Sequence, residues 1–212
     1  DAEAIVAPAV DEAVAGRFRR WIAEGSHAEM AYLANNVEKR LDPTLLMEGA
    51  QSVVSVALNY FPNQQLDAAK QYEFAWYAYG QDYHDLMKAR LTALAESLVA
   101  EIEGDVHYRV FCDTAPVLER YWAWRCGLGW IGKNTQLVIP HAGSAFFLGE
   151  IIFDHPFAFY DEPQTNRCGT CTRCLDACPT GALTESGSLD ACRCLSYLTI
   201  EYRSDTLPVE AV

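Results

Sequence analysis

The stretch RCGTCTRCLDACPTGAL, residues 167–183, decides how the C-terminal part of this chain folds. Four of its cysteines follow the spacing C-x2-C-x2-C-x3-C and a proline closes the run: Cys168, Cys171, Cys174, Cys178 and Pro179. Two-residue gaps let successive thiolates converge on the corners of one iron–sulfur cubane. Zinc is the alternative metal, but a third equally spaced cysteine and the Cys-Pro ending are unusual in tetrahedral zinc sites. The spacing therefore favours an iron–sulfur site.

The cysteines that follow this run limit the number of clusters. Only Cys192 and Cys194 come after it, and the 212 residues contain no second run of the same spacing. In two-cluster ferredoxins the fourth cysteine of such a run binds the other cluster, so Cys178 and Cys194 are assigned to a different cluster from the first three cysteines. Alternatively, Cys178, Cys192 or Cys194 folds back and completes a single cluster. In both arrangements we expect at most one complete 4Fe-4S cluster in this chain.

Composition excludes several classes of protein. Half of the residues are apolar, so the chain can bury a core, and neither disorder nor a fibre is expected. Sixteen basic and 29 acidic residues give a net charge of −13, which leaves only a local patch for any nucleic-acid contact. The apolar runs are shorter than the roughly 18 to 20 residues that cross a bilayer. Six of the eight cysteines lie between Cys168 and Cys194, and a chain with so large an apolar body does not need a disulfide framework.

Hydrophobic periodicity predicts a mixed architecture before the cysteine run. Helical spacing predicts three helices: Val10–Gly25, Asp82–Glu103 and Ala115–Cys126. Runs of β-branched or alternating apolar residues predict five strands: Ala4–Ala7, Ser52–Tyr60, Val106–Cys112, Thr135–Ile139 and Ala145–Phe153. The short turn PHAGS predicts that the last two strands pair antiparallel. This order favours an α+β sandwich over a doubly wound sheet, with a domain boundary near residue 160.

The segment GLGWIGKN, residues 127–134, imitates two nucleotide-binding motifs. Both motifs require a strand before the glycines and a helix after them, whereas here a predicted helix precedes and a predicted strand follows. The phosphate-loop motif also needs a hydroxyl where Asn134 stands. We therefore reject nucleotide binding. The glycines instead allow the backbone to approach a large flat ligand, with Lys133 and Asn134 as polar anchors at its edge.

Two polar residues have both a structural and a functional interpretation. The stretch DYHDLM begins like the D-x-H-x-x-G loop of some corrinoid enzymes, but Met87 replaces the glycine, so His84 is predicted to be an ordinary surface or capping residue. Asp113 ends an apolar strand and precedes a helix with Pro116 in its first turn. Local evidence favours its carboxyl as a cap of that helix, although a carboxyl at a strand end that faces a cleft is also suited to donate a proton.

Six ordered blocks resemble the epoxyqueuosine reductase family over nearly the whole chain. They are HAEMAYLANNVEKRLDPTLLMEGAQSVVSVALNYFP (27–62), YAYGQDYHDLMKARL (77–91), DTAPVLERYWAWRCGLGWIGKN (113–134), GSAFFLGEII (143–152), CGTCTRCLDACPTGAL (168–183) and RCLSYLTIE (193–201). The resemblance implies reduction of epoxyqueuosine, at the wobble position of tRNA, to queuosine. It also implies a nitroreductase-like cobalamin-binding domain over residues 1–158, followed by a truncated bacterial ferredoxin-like domain over residues 159–212.

The resemblance also assigns roles to individual residues. Asp113 matches the proposed proton donor, which must keep its proton near neutral pH beneath the corrinoid and substrate, out of reach of a compensating cation. By family position Arg40, Tyr83, Leu137 and Leu148 line the corrinoid, the two leucines through their backbone. Asp113 is assigned to the same cofactor site, and so is Lys133 as the polar anchor that the glycine-rich segment suggests. The family binds cobalamin without a lower histidine ligand. An external electron donor such as ferredoxin or flavodoxin, a monomeric state and a cytoplasmic location are expected as well.

Departures from the family pattern limit this assignment. The family has a basic residue where Cys192 stands, continues into a second cysteine run, and then carries helical repeats that help to hold the tRNA anticodon arm. This sequence has none of these, so we expect much of the tRNA-binding surface to lie outside the 212 residues. Two alternatives remain open: a corrinoid reductive dehalogenase, and an electron-transfer module that has no chemistry of its own.

Overall fold

Helices and strands are interspersed along the chain in the computed structural model, which describes residues 2–6, 10–64, 72 and 74–206. The helices are α1 (Glu12–Ala23), α2 (Ala31–Ala34), α3 (Val37–Leu41), α4 (Tyr83–Val99), α5 (Glu119–Arg125), α6 (Arg173–Asp176) and α7 (Leu195–Ile200). The strands are β1 (Ala2–Val6), β2 (Ser52–Asn59), β3 (Tyr108–Phe111), β4 (Trp130–Ile131), β5 (Leu137–Val138) and β6 (Phe146–Phe153). Each of the three predicted helices and five predicted strands overlaps one of these elements.

Four strands form an antiparallel sheet in the order β1-β2-β6-β3. The two central strands pair over their full length, from Ser52 opposite Phe153 to Asn59 opposite Phe146. Strand β3 pairs with the second half of β6, as far as Phe111 opposite Glu150. The predicted α+β architecture is confirmed, because all these pairings are antiparallel rather than the parallel pairings of a doubly wound sheet.

Helices cover both faces of this sheet, and the strand residues alternate between them. Val54 of β2 and Ile151 of β6 pack with Leu91 of α4 on one face. Their neighbours Val53 and Ile152 pack with Trp122 of α5 on the other face. This period of two follows from the pleat of a strand. The first turns of α4 and α5 lie beside the end of β3, where the candidate site is found.

The predicted hairpin between residues 135–139 and 145–153 is wrong. Strand β5 pairs with β4 instead, and only an isolated bridge joins Ile139 to Gly143. His141 and Gly143 both have positive φ, so the chain reverses tightly and leaves for the main sheet. There β6 forms eight residue pairs with β2, and both faces of its apolar second half are covered. The main sheet therefore buries both faces of β6, whereas the predicted two-stranded hairpin with β5 would leave one face exposed.

The C-terminal segment packs against the region that follows α1. Trp21 Nε1 donates to the Leu189 carbonyl at 2.6 Å, and the Ala191 N–H donates to the Ser26 carbonyl at 2.8 Å. The Glu29 N–H donates to the hydroxyl of Tyr197 in α7 at 3.3 Å, and Tyr197 is buried. The domain boundary near residue 160 stays a prediction. None of the helices in the described ranges has the length and apolar character needed to cross a membrane.

Candidate active site

Asp113 lies on the turn after β3 and has a left-handed backbone conformation, with φ +57°. Residues other than glycine seldom adopt this conformation, and where they do it often marks a functional site. Capping does not explain it, because α5 begins only at Glu119, with Leu118 at its N-cap and no side-chain cap hydrogen bond. The helix-cap interpretation of Asp113 is therefore wrong, and the proton-donor prediction remains.

Two side chains from the first turn of α4 meet the Asp113 carboxylate. Tyr83 Oη donates a hydrogen bond to Asp113 Oδ2, and His84 Nε2 lies 3.2 Å from the same oxygen. The N-cap Asp82 arranges this turn, because its Oδ1 accepts the His84 N–H at 2.9 Å and lies 2.8 Å from His84 Nδ1. The Tyr83 ring stacks on Phe147 of β6 at a centroid distance of 4.2 Å. The expectation for His84 is wrong, since Asp82 is the cap and His84 contacts Asp113.

Hydrogen bonds to Asp113 help to raise the pKa of both His84 and Tyr83. Partial burial lowers the pKa of His84, but its hydrogen bonds to Asp82 and Asp113 outweigh that effect and raise the pKa above the usual 6.5. Burial, followed by the hydrogen bond to Asp113, raises the pKa of Tyr83. The Asp113 side chain is 57% exposed and lies in contact with His84. The expectation of a carboxyl out of reach of any cation does not hold, because His84 Nε2, a group that can carry positive charge, lies 3.2 Å from Asp113 Oδ2.

Glu119 is a residue of this site that the sequence did not single out. It lies in the first turn of α5, and its Oε1 accepts the backbone N–H of Asp113. Burial, and to a lesser extent the Asp113 charge, raise the pKa of Glu119 to about 7. Glu150 of β6 is also buried, accepts a hydrogen bond from Ser55 Oγ at 3.2 Å, and has a pKa raised well above 4.5 by burial and by Glu119. No spacing rule links these positions, so only the fold reveals them.

Arg40, at the end of α3, fits a ligand oxygen. Its Nη2 donates to the Tyr32 carbonyl at 3.3 Å, whereas its Nε is buried and has no hydrogen-bond partner within the described part of the chain. The charge of Arg40 acts to lower the pKa of Glu119. The pKa of Tyr32 is affected by both neighbours, since the Asp113 charge raises it and the Arg40 charge lowers it. The structure therefore gathers three of the predicted residues, Arg40, Tyr83 and Asp113, around one place.

The other predicted corrinoid residues lie to the side of this cluster. Leu137 of β5 is 5% exposed and shares a hydrophobic cluster with Leu148 of β6 and Leu128. Strand β3 pairs with β6 only as far as Glu150, so on that side the described residues offer Leu148 no strand partner. Its backbone is thus compatible with the predicted contact. The corrinoid-binding roles of Leu137 and Leu148 stay predictions.

The glycine-rich segment 127–134 holds the cysteine segment. Lys133 Nζ donates to the carbonyls of Gly169 at 3.0 Å and Cys171 at 3.1 Å. Asn166 Nδ2 donates to the Ile131 carbonyl at 3.1 Å. A Cβ at Gly129 would lie 2.3 Å from the Val138 carbonyl oxygen, so the close approach there is to a neighbouring strand. The structure thus gives this segment a role in docking the cysteines, and the role of Lys133 at the corrinoid edge stays a prediction.

The cysteines suit an iron–sulfur cluster by their chemistry. Hydrogen bonds from backbone groups, first that of Leu183 and then that of Ala182, lower the pKa of Cys178, which favours the thiolate that binds iron. Cys168 donates its N–H to Asn166 Oδ1 at 2.8 Å, so its loop is held in place. Within the described ranges no three His, Cys, Asp or Glu side chains lie close enough to hold a metal ion.

A polar cluster at the edge of an antiparallel sheet, followed by a ferredoxin-type cysteine run, defines a redox protein with an iron–sulfur domain. The chain is 43% identical over 199 residues to the epoxyqueuosine reductase of Synechocystis, which covers 93% of this chain and 67% of that protein. Residues 40–114 match the family described as "Epoxyqueuosine reductase QueG, DUF1730". The chain belongs to the epoxyqueuosine reductase family, which confirms the resemblance seen in the sequence.

Other comparisons agree with this family. The epoxyqueuosine reductase of Cyclobacterium marinum is 48% identical over 193 residues, which make up 91% of this chain and 62% of that protein. The chain thus spans somewhat under two thirds of that relative. A crystal structure of epoxyqueuosine reductase with an epoxyqueuosine-modified tRNA-Tyr stem loop is 34% identical, with a TM-score of 0.85 over 98% of this chain and 55% of that one. A Bacillus subtilis epoxyqueuosine reductase, 32% identical with a TM-score of 0.83, is described with an aspartate catalytic loop swung out of its active site.

Residues 167–211 match a 4Fe-4S double cluster binding domain. The prediction of an iron–sulfur segment is thereby confirmed, and zinc and a disulfide framework are not supported. Which cysteines bind which cluster stays a prediction.

Replacing Lys133 with methionine is expected to loosen the cysteine loop. The ammonium that bridges two carbonyls of the loop is lost, so iron should be released to a chelator roughly three- to tenfold faster under anaerobic conditions. Lys39→Met, at an exposed position of α3, is the matched control. Iron release at the wild-type rate in the Lys133 variant would show that these hydrogen bonds do not hold the loop.

Proposed function

We propose that this chain carries the catalytic part of an enzyme that reduces epoxyqueuosine in tRNA to queuosine, with cobalamin and with electrons delivered through 4Fe-4S clusters. The observation that carries the proposal is the convergence of Tyr83 and His84 on the carboxylate of Asp113. The names of the relatives and the related structure with an epoxyqueuosine-modified stem loop support this substrate.

The reaction needs a proton source of the kind that this cluster provides. Reduction of an epoxide to an alkene takes up two electrons and two protons, breaks both carbon–oxygen bonds, forms the double bond and releases the oxygen as water. Tyr83 and His84 orient the Asp113 carboxylate, and His84 passes a proton to it. Asp113 donates that proton to the epoxide oxygen as the first of those bonds breaks. Water then returns a proton to His84, and the same relay delivers the second proton. The aspartate loop of the Bacillus subtilis relative supports an aspartate in this role.

Cobalamin, when bound, supplies the strong reductant for this chemistry. Arg40 would hold it through the buried Nε that has no partner in the described residues, with Tyr83 and the backbones of Leu137 and Leu148 along its edge. His84 is already held by Asp82 and Asp113, so we propose that it would not bind the cobalt.

Replacing Arg40 with methionine is expected to weaken cobalamin binding roughly ten- to a hundredfold, because a charged donor to a ligand oxygen is lost. Titration of the protein with cobalamin, followed by absorbance or calorimetry, measures the change. Arg17→Met, at an exposed position of α1, serves as the control and should bind cobalamin as the wild type does. Equal affinity of the Arg40 variant would remove Arg40 from the corrinoid site.

Electrons reach the site through the cysteine segment. We assign Cys168, Cys171 and Cys174 to one cluster and Cys178 with Cys194 to the other, and an external ferredoxin or flavodoxin as the donor. The docking of residues 127–134 against this segment supports a short path between the clusters and the site. We propose that the protein acts on tRNA in the cytoplasm as a monomer, without a membrane partner.

A two-substrate assay tests this function against its alternatives. Anaerobically reconstituted and reduced protein receives a tRNA stem loop with epoxyqueuosine and a chlorinated phenol in the same tube. We expect the tRNA to be reduced and no chloride to be released, and the protein to show corrinoid absorption bands together with an iron–sulfur shoulder. Chloride release with unchanged tRNA would indicate a dehalogenase. An iron–sulfur shoulder alone, with both substrates unchanged, would indicate an electron-transfer module.

A further inference from the structure

The backbone of Asp113 is held by a side chain from another element. Asp113 has φ +57°, and its N–H donates to Oε1 of Glu119 rather than to a neighbouring carbonyl. The hydrogen bonds between backbone groups of this turn are short-range, from the Thr114 N–H to the Cys112 carbonyl at 2.6 Å and from the Val117 N–H to the Ala115 carbonyl at 2.8 Å. These local bonds tighten the turn but do not tie it to the rest of the fold. The hydrogen bond from the Asp113 N–H to the Glu119 carboxylate ties the turn to α5.

Glu119 itself is carried by a rigid element. It lies in the first turn of α5, and the residues that follow it, Tyr121, Trp122 and Ala123, are between 0% and 4% exposed. Trp122 packs against Val53 and Ile152 of the central strands. A carboxylate mounted on this helix is therefore fixed relative to the sheet, and so is the amide that it binds.

We propose that Glu119 is the positioning residue of the Asp113 turn: it holds the left-handed backbone of Asp113 so that the carboxyl meets Tyr83 and His84. This inference rests on the proposed function for the role of Asp113. Glu119 acts through the backbone of Asp113 and does not touch the substrate, so its removal lowers the rate of the chemical step more than it changes substrate binding. A misplacement of about 1 Å at a reacting group can lower a rate on the order of a hundredfold.

Two substitutions separate this role from a general effect on folding. Glu119→Gln keeps an oxygen that accepts the Asp113 N–H, whereas Glu119→Ala removes the acceptor. Glu96→Ala on α4, an exposed position, is the control for loss of a glutamate. Melting temperatures of all three variants identify any that fail to fold. If Glu119→Ala does not fold, Glu119→Gln still tests the proposal.

Hydrogen–deuterium exchange of the peptide 112–118 is the first readout, measured at pH 8 because the pKa of Glu119 is about 7 and the carboxyl is then ionised. We expect exchange at Asp113 to be roughly ten- to a hundredfold faster in Glu119→Ala and near the wild-type rate in Glu119→Gln and Glu96→Ala. Because this readout needs no turnover, it tests the contact even if the enzyme proves to have another substrate. Unchanged exchange in Glu119→Ala would overturn the proposal.

Steady-state kinetics on epoxyqueuosine tRNA is the second readout. Glu119→Ala should lower kcat about a hundredfold with little change in KM, and Glu119→Gln should recover most of kcat. Equal losses in the Gln and Ala variants, with the turn still protected in Gln, would contradict a positioning role. A wild-type protein that leaves the tRNA unchanged, together with faster exchange in Glu119→Ala, would reject the proposed function and retain the contact.

Discussion

Replacing Asp113 with asparagine is expected to lower turnover by about a hundred- to ten-thousandfold, the usual effect of losing a positioned acid. Asparagine still accepts the hydrogen bond from Tyr83 and tolerates the left-handed conformation of this position, but it has no proton to give. The melting temperature and the cobalamin affinity should barely change. Single-turnover formation of queuosine, with reductant and cofactors supplied, measures the effect.

Two further variants make this prediction specific. Asp85→Asn, at an exposed position of the same helix turn that carries Tyr83 and His84, is the matched control and should retain turnover. Asp113→Ala should lose turnover and also about 1–2 kcal/mol of stability, because alanine is disfavoured at a positive φ. Near-normal turnover in the asparagine variant would remove Asp113 from the mechanism.

Replacing Cys171 with serine is expected to abolish most of the iron that the protein loads. Cys171 is the second ligand of the predicted three-cysteine set, and a serine hydroxyl is far less acidic and binds iron more weakly than a thiolate. Iron and sulfide per chain after anaerobic reconstitution measure the loss. Unchanged iron content in this variant would rule out the ligand assignment.

Cys192→Ser is the matched control for this substitution. Cys192 is exposed, and its sulfur donates to the Gly25 carbonyl at 3.7 Å. Iron retained in this variant is the result we expect, whereas iron lost would show that Cys192 completes a single cluster. For the wild-type chain we expect no more than about four irons, one cubane. About eight irons per chain would show that both clusters assemble within these 212 residues.

The parts of the structure that local patterns specify could be predicted from the sequence. The β-branched run from Ser52 and the alternating run that ends at Phe153 are the central strands, and the amphipathic run after Asp82 is α4. The cysteine spacing identified the iron–sulfur segment, because consecutive ligands of one cluster are neighbours in the chain. Asp113 was singled out as a carboxyl at a strand end, but the family resemblance rather than the local pattern favoured its role as proton donor.

Other features depend on contacts between distant positions, which no local pattern contains. The partner of β6 is β2, almost a hundred residues earlier, and the short turn at residues 140–144 indicated β5 instead. His84 was assigned to the surface because nothing in its own helix shows that β3 ends beside it. Glu119 was missed because its acceptor role depends on the left-handed turn at Asp113.

The most direct test of the account is the mass of the modified nucleoside. Anaerobically reconstituted protein, supplied with cobalamin and an external reductant, is incubated with tRNA that contains epoxyqueuosine, and the tRNA is then digested and analysed by mass spectrometry. We predict that the wobble nucleoside loses one oxygen atom and becomes queuosine, and that the Asp113→Asn protein in the same assay leaves it unchanged. A nucleoside of unchanged mass with the wild-type protein, when both iron and cobalamin are bound, would contradict the account.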